Sequence, residues 1–217
     1  VDGGLCTVGG VTYTTDQLGQ PRPGGGGAFC DSGAYELQVL PPNCVAKSGA
    51  TTLTGPNARI VQELVDQVSA GATIKVAGHC TGVAGSDPWT LVINKSLTVE
   101  GGYSTEDDET WDDPDPVEHP TVLDAQSLGG VVYMSGNSDI TLRYLTFTGG
   151  RRSSTAGLYA SSGTRVNVEH CTISGNTATG FDGGGLTAAA GSTVTIFGSL
   201  IQNNSAGRIG GGAYTAG

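Results

Sequence analysis

Apolar residues follow two different periods along the chain. Between residues 57 and 70 they recur at the three- and four-residue spacing of one helical face. These apolar positions are Ile60, Val61, Leu64, Val65 and Val68. Asn57 is a suitable start signal and Gly71 a suitable stop, so the pattern predicts an amphipathic helix over 57–70. From Thr73 onward the period changes to two, which is typical of β-strands.

The strand region carries an internal repeat of 26 to 28 residues. Three stretches, 140–150, 166–176 and 194–204, align position by position. The aligned aliphatic sets of the first register are Ile140/Val166/Val194, Leu142/Val168/Ile196 and Phe147/Ile173/Ile201. The sets of a second register are Val132/Leu158/Leu186/Ala213 and Met134/Ala160/Ala188/Thr215. A looser earlier copy occupies 96–102.

A repeat of short strands joined by Gly and Asn turns predicts an all-β fold, a parallel β-helix with one turn per repeat. Strands of neighbouring turns would pair about 4.8 Å apart, so equivalent aliphatic residues would stack inside. Asn176 above Asn204 would then form an internal amide ladder. The predicted helix directly precedes the first strand, Thr73–Val76, where it would cover the exposed end of the core. An antiparallel sandwich is the alternative, but it does not explain matched copies in two registers.

The first 40 residues have a different character. They are rich in Gly and Pro turns and show no helical period. We therefore divide the chain into an irregular cap or docking segment, 1–40, and a β-helix with its capping helix, 41–217.

Five cysteines show no metal-ligand spacing. Cys6 and Cys30 bracket the Gly-rich start, while Cys44 and Cys80 bracket the predicted helix. We interpret these two local pairs as disulfides, which indicates an oxidising, extracellular setting. Free buried thiols are the alternative.

Charge and composition limit the classes of partner that this chain can bind. The chain has 37 Gly but only 10 Lys and Arg against 20 Asp and Glu, giving a formal charge of −10. Nucleic acids and anionic membranes need basic patches, so neither is expected as a partner. No apolar run reaches the length of a membrane span.

Several stretches resemble known families. ATIKVAGHCTGV, INKSLTVEGGYS and ISGNTATGFDGGGL resemble the right-handed, pectin-lyase-like β-helix superfamily and secreted bacterial surface proteins. The paired IxxN and GGGL/GGGA motifs are similar to repeats of chlamydial polymorphic membrane proteins and related adhesins. TDQLGQPRP and CDSGAYE resemble the closing segment of choice-of-anchor Q proteins, which follows a β-helix there but precedes it here.

This permuted order suggests head-to-tail self-association. The last aligned residues stop partway through a turn, so the segment 1–40 of one copy would dock on the turn near 210–217 of the next. The expected interface residues are Asp16, Arg22, Asp31, Tyr35, Gly211, Gly212 and Tyr214. A boundary imposed on a longer chain is the alternative.

The sequence offers no catalytic set. Arg143 aligns beside Glu169 on the next turn, which favours an ion pair over an acid–base couple. The densest cluster places eight acidic residues in positions 106–118. Its oxygen ligands would suit Ca²⁺, although a solvated charged loop is the default. The candidate calcium ligands are Asp107, Asp108, Asp112, Asp113 and Asp115.

These observations predict a non-enzymatic, extracellular structural protein that assembles with itself into a filament, sheath or stalk and needs no cofactor. One alternative is an adhesin that binds glycans or cell surfaces through loops 103–120 and 150–156. Trp111 is the most binding-like aromatic of these loops, although packing is the commoner role. A polysaccharide lyase or hydrolase is a further alternative.

Overall fold

A computed structural model describes residues 44–84, 88–106, 111–180 and 183–216, with the backbone of four short strands before residue 44. The chain divides into two compact units, Val1–Pro41 and Pro42–Gly217. The described strands of the first unit are β1 (Asp2–Gly4), β2 (Thr7–Val8), β3 (Val11–Thr12) and β4 (Cys30–Asp31). β1 pairs with β4 and β2 with β3, both antiparallel.

The second unit begins with an antiparallel hairpin and a helix. The hairpin strands are β5 (Cys44–Ser48) and β6 (Thr51–Gly55), and the helix is α1 (Arg59–Gln67). β5 also pairs with the first solenoid strand, β7 (Thr73–Thr81). The hairpin therefore borders the β-helix on the side where the chain enters it.

About five turns of parallel β-solenoid follow, and their strands pair in register from one turn to the next. The first two turns contain β7, β8 (Trp89–Ile93), β9 (Leu97–Tyr103), β10 (Thr121–Asp124) and β11 (Gly130–Met134). The third contains β12 (Asp139–Arg143), β13 (Leu145–Thr148), β14 (Arg151–Arg152) and β15 (Leu158–Ala160). The fourth contains β16 (Arg165–Glu169), β17 (Thr172–Ser174), β18 (Thr177–Ala178) and β19 (Leu186–Ala188). The fifth contains β20 (Thr193–Phe197), β21 (Leu200–Gln202), β22 (Ser205–Ala206) and β23 (Ala213–Thr215).

The register confirms the repeat alignment. Leu142 pairs with Val168, which pairs with Ile196, and Phe147 pairs with Ile173, which pairs with Ile201. The second register holds as well. The earlier copy at 96–102 extends the first register, because Leu97 and Val99 align with Ile140 and Leu142. These aliphatic ladders form one continuous core, fully buried until the last turn.

The bends between β12 and β13 and their equivalents use left-handed backbone. Tyr144, His170 and Gly198 occupy the same place in successive turns, with φ of 54°, 52° and 57°. Bulky residues pay about 1 kcal/mol for this conformation. The rings of Tyr144 and His170 stack at 5.7 Å, so contact between neighbouring turns offsets part of that strain.

Helix α1 is shorter than the predicted span 57–70. Its first residue is Arg59. The backbone N–H of Ala58 donates to the Thr81 carbonyl of the first solenoid strand. The backbone N–H of Arg59 donates to Oδ1 of Asn57, which precedes the helix. It ends at Gln67, since Val68 is extended. Lys95 Nζ donates to the carbonyls of Asp66 and Val68, which closes this end in place of Gly71.

The helix closes the chain-entry end of the solenoid, as the sequence predicted. Val61, Leu64 and Val65 are fully buried against the core. Gln62 adds a polar closure: its Oε1 accepts the Val92 amide at 2.7 Å and its Nε2 donates to the Val92 carbonyl at 3.1 Å. β8 is the edge strand of its sheet. The Gln62 side chain therefore makes the backbone hydrogen bonds to Val92 that a neighbouring strand would otherwise make.

Candidate functional site

The fifth turn is the part of the solenoid where the core reaches the surface. Four large apolar side chains there are strongly exposed: Ile196 at 42 %, Phe197 at 65 %, Leu200 at 50 % and Ile209 at 57 %. Ile196 continues the ladder of Leu142 and Val168, which are completely buried. Its exposure therefore comes from its place in the stack and not from its residue type.

The backbone of the fifth turn is also paired on one side only within the described residues. β20, β21, β22 and β23 each stand at the end of their sheet. A cavity of about 330 Å³ opens there, bordered by Leu186, Ala188, Val194, Ile196 and Ala213. Unpaired strand edges beside an apolar cavity form a surface suited to another β-turn or strand.

The predicted asparagine ladder connects this surface to the interior. The side-chain Nδ2 of Asn176 donates to Asn204 Oδ1 at 3.0 Å. The same oxygen also accepts a hydrogen bond from the backbone N–H of Asn176. Asn176 Oδ1 accepts the Gly150 amide one turn earlier, while Asn204 Nδ2 donates to the Ile173 carbonyl. Asn176 is fully buried and Asn204 half-buried, so the ladder becomes accessible only at the fifth turn.

The expected interface residues fall in two places. Gly211 and Gly212 carbonyls accept the amides of Gly185 and Leu186, and Tyr214 lies in register with Thr187. All three thus belong to the fifth turn. Asp16, Arg22 and Tyr35 lie outside the described residues, and only the backbone of Asp31, in β4, is described.

A charged row runs along the outer face of the main sheet. Arg143 lies between Glu100 and Glu169, at 3.5 Å and 3.0 Å, which confirms the ion pair expected from the alignment. Partial desolvation opposes its charge, but the two carboxylates raise the pKa of Arg143 above its ordinary value. The row ends at Phe197, which lies in register with Glu169 and packs edge-on against His170.

The acidic loop is anchored by Trp111. Its ring is only 8 % exposed and stacks on Tyr103 with centroids 5.0 Å apart. The ring joins a small apolar cluster with Val45 and Ala77, so Trp111 has the packing role that is the commoner one for a loop aromatic. Burial and the hydrogen bond to Glu100 raise the pKa of Tyr103.

The candidate calcium ligands are only partly described. Asp107 and Asp108 lie outside the described residues, whereas Asp112, Asp113 and Asp115 are exposed. Asp115 Oδ1 accepts the amides of Val117 and Glu118, and these bonds lower the pKa of its carboxyl. Within the described residues, no three His, Cys, Asp or Glu side chains gather as a metal site would require. Calcium binding stays a prediction.

The described residues contain one of the two expected disulfides. Cys44 and Cys80 are bonded, joining the hairpin to the first solenoid strand. The expected Cys6–Cys30 pair lies outside the described side chains. Cys171 is a free thiol, 2 % exposed.

Cys171 should resist alkylation in the folded protein. Burial raises the pKa of its thiol to about 11, so the reactive thiolate is scarce at neutral pH. In the unfolded chain the thiol has a pKa of about 8.5 and loses its proton first. The free energy of unfolding linked to this group therefore falls as pH rises between about 8.5 and 11. Iodoacetamide labelling followed by peptide mass spectrometry should modify Cys171 in urea but not in buffer at pH 8. Equal labelling in both would contradict its burial.

Within the described residues, no helix combines the length and apolar character needed to cross a bilayer.

Comparison with known proteins supports the fold. The family model described as right handed beta helix region matches residues 100–216, more than half of the chain. Searches of curated proteins and of solved structures find no significant match. The matched span contains the in-register ladders and the fifth turn. The chain therefore belongs to the right-handed β-helix family.

Proposed function

We propose that this β-helix protein is a secreted structural subunit that associates end to end through the outer side of its fifth turn. The observation that carries the proposal is the exposure of Ile196, Phe197 and Leu200 on strands paired on one side only. Large apolar patches on a protein surface mark interaction sites. The Cys44–Cys80 disulfide supports secretion, because such bonds persist in oxidising compartments.

The other end of the solenoid limits how two copies can meet. Helix α1 and the Gln62 amide already occupy the place where a preceding turn would pair. A second copy therefore cannot add its own first turn directly to the fifth turn. We propose instead that the unit Val1–Pro41 of the neighbour docks there, in keeping with its resemblance to a segment that closes β-helices in choice-of-anchor Q proteins. Contacts of this head-to-tail kind do not close on themselves and extend into filaments.

Analytical ultracentrifugation of the protein over a range of concentrations tests the proposal. We expect a ladder of increasing masses, with filaments visible by electron microscopy. The variant Ile196→Asp should weaken this association by about tenfold or more, because a carboxylate would be desolvated at the interface. Val117→Asp provides the matched control, since Val117 is 91 % exposed on the acidic loop.

Three results would overturn the proposal. A monomer at every concentration would exclude self-association, and a discrete dimer would indicate that two fifth turns meet symmetrically. An unchanged mass distribution for Ile196→Asp, with native circular dichroism, would show that another surface carries the contact.

A further inference from the structure

A cleft separate from the fifth turn lies where the hairpin, the first solenoid strand and the acidic loop meet. It has a volume of about 490 Å³. Its walls come from Lys47, Ser48 and Gly49 on the hairpin, Thr73 and Lys75 at the start of β7, and Trp111 and Asp112 on the loop. Three elements distant in sequence therefore build one pocket.

Two of the three lysines of this acidic chain lie in the cleft. Lys47 and Lys75 are directly opposite each other on the antiparallel strands β5 and β7. Like charges in such positions repel each other and destabilise the sheet. Glu100 lies in register with Lys75 on its other side, but its carboxylate pairs with Arg143 and accepts a hydrogen bond from the Tyr103 hydroxyl, so the two lysines still favour an added anion.

The ammonium groups of both lysines contact the stacked ring pair of Tyr103 and Trp111. Lys75 Nζ is 5.0 Å from the centroid of Tyr103, and Lys47 Nζ is 5.8 Å from that of Trp111. Lys75 also donates to the Trp111 carbonyl, which fixes its position. Within the part of the chain that the structure describes, no carboxylate lies within 4.0 Å of either ammonium. Each ammonium keeps donors for a ligand, because an ammonium carries three.

The remaining lining suits hydroxyl groups better than a bare ion. Ser48 and Thr73 supply hydroxyls, and the exposed Asp112 carboxylate accepts hydrogen bonds. Asp112 would repel a small, highly charged anion but would accept the hydroxyls of a polyol. One pocket therefore combines two ammonium groups, which bind an acid group, with the hydroxyls and the carboxylate, which bind the hydroxyls of a ligand.

We propose that this cleft binds an acidic sugar, one bearing a carboxylate or a sulfate. The acid group lies between Lys47 and Lys75, and the sugar hydroxyls bond to Asp112 and Thr73. The site is independent of end-to-end association, because none of its residues belongs to the fifth turn.

Calorimetric titration of the whole chain tests the site with four probes. These are glucuronate, N-acetylglucosamine 6-sulfate, neutral glucose and inorganic sulfate. We expect saturable binding of the two acidic sugars, much weaker binding of glucose, and a fall in affinity with salt. Glucose binding as tight as that of glucuronate would overturn the role of the lysines. Inorganic sulfate binding as tight as that of the sulfated sugar would overturn the assignment to a sugar.

Matched variants locate the binding. Lys47→Gln should weaken it about tenfold or more, as expected for the loss of a charged hydrogen bond. Lys75→Arg keeps the positive charge in the cleft, and should retain binding within a few fold. Arg165→Gln removes the same charge from an exposed pair with Asp139, outside the cleft, and should change nothing. Equal losses for Lys47→Gln and Arg165→Gln would show that net charge, and not this cleft, controls binding.

Discussion

Replacing Asn176 with Leu should lower the free energy of unfolding by about 4 kcal/mol. Leu matches Asn closely enough in size to leave little cavity, but it offers no polar atom. The loss should appear as a lower midpoint of urea unfolding, followed by circular dichroism, with the slope unchanged. It would be one of the largest effects of a single substitution in this chain.

The expected size follows from the groups that Asn176 satisfies. Its Oδ1 accepts the Gly150 backbone amide at 2.8 Å. Its Nδ2 lies 3.1 Å from the carbonyls of Phe147 and Ser174, which share its two N–H donors with Asn204 Oδ1. The Gly150 and Phe147 bonds are buried. Each buried polar group left without a partner costs about 1–3 kcal/mol, and water has no access to this part of the core.

Asn204 is the matched control, because it occupies the equivalent position one turn later. Asn204→Leu should cost only about 1 kcal/mol, since Asn204 is half-buried and water can reach the bonds it leaves. Equal losses for the two variants would contradict the difference in burial between the fourth and fifth turns. A negligible loss for Asn176→Leu would contradict the amide ladder itself.

The ladder could be predicted from sequence because repetition supplies long-range information. Once 140–150, 166–176 and 194–204 are aligned, stacking one repeat on the next places Asn176 over Asn204 and Arg143 beside Glu169. Each turn acts as a template for its neighbour, so a local pattern fixes distant contacts. The disulfide Cys44–Cys80 followed from the two cysteines that bracket a single predicted element.

Features that occur only once had no such template. The Gln62 closure of β8 depends on where α1 lies in three dimensions, and no period in the sequence marks that residue. The stacking of Trp111 on Tyr103 had no template either, because the acidic loop belongs to no repeat. The cleft between Lys47 and Lys75 was missed for the same reason, because the hairpin register that aligns them belongs to no repeat.

Removing the disulfide between Cys44 and Cys80 should cost about 4 kcal/mol. The bond closes 36 residues of chain, which contain the hairpin β5–β6 and helix α1. Cross-linking a loop of that length restricts the unfolded chain by about this free energy. Both half-cystines are fully buried, so the double variant Cys44→Ala/Cys80→Ala also loses packing between the hairpin and the first turn. We expect a lower urea midpoint. The hairpin β5–β6 and helix α1 should also become accessible to protease before the solenoid does.

Reductant separates the covalent contribution from the packing contribution. Dithiothreitol should lower the urea midpoint of the wild type by most of the difference seen in the double variant, because it breaks the bond and leaves the sulfur atoms in place. It should leave the midpoint of the double variant almost unchanged. Cys171→Ser is the matched control: it alters a buried thiol that closes no loop, and it should cost about 1 kcal/mol. A wild type whose midpoint is insensitive to reductant, in a sample shown to be reduced by mass spectrometry, would contradict the prediction. It would mean that the hydrogen bonds between β5 and β7 and the apolar face of α1 hold the hairpin and the helix in place without the disulfide.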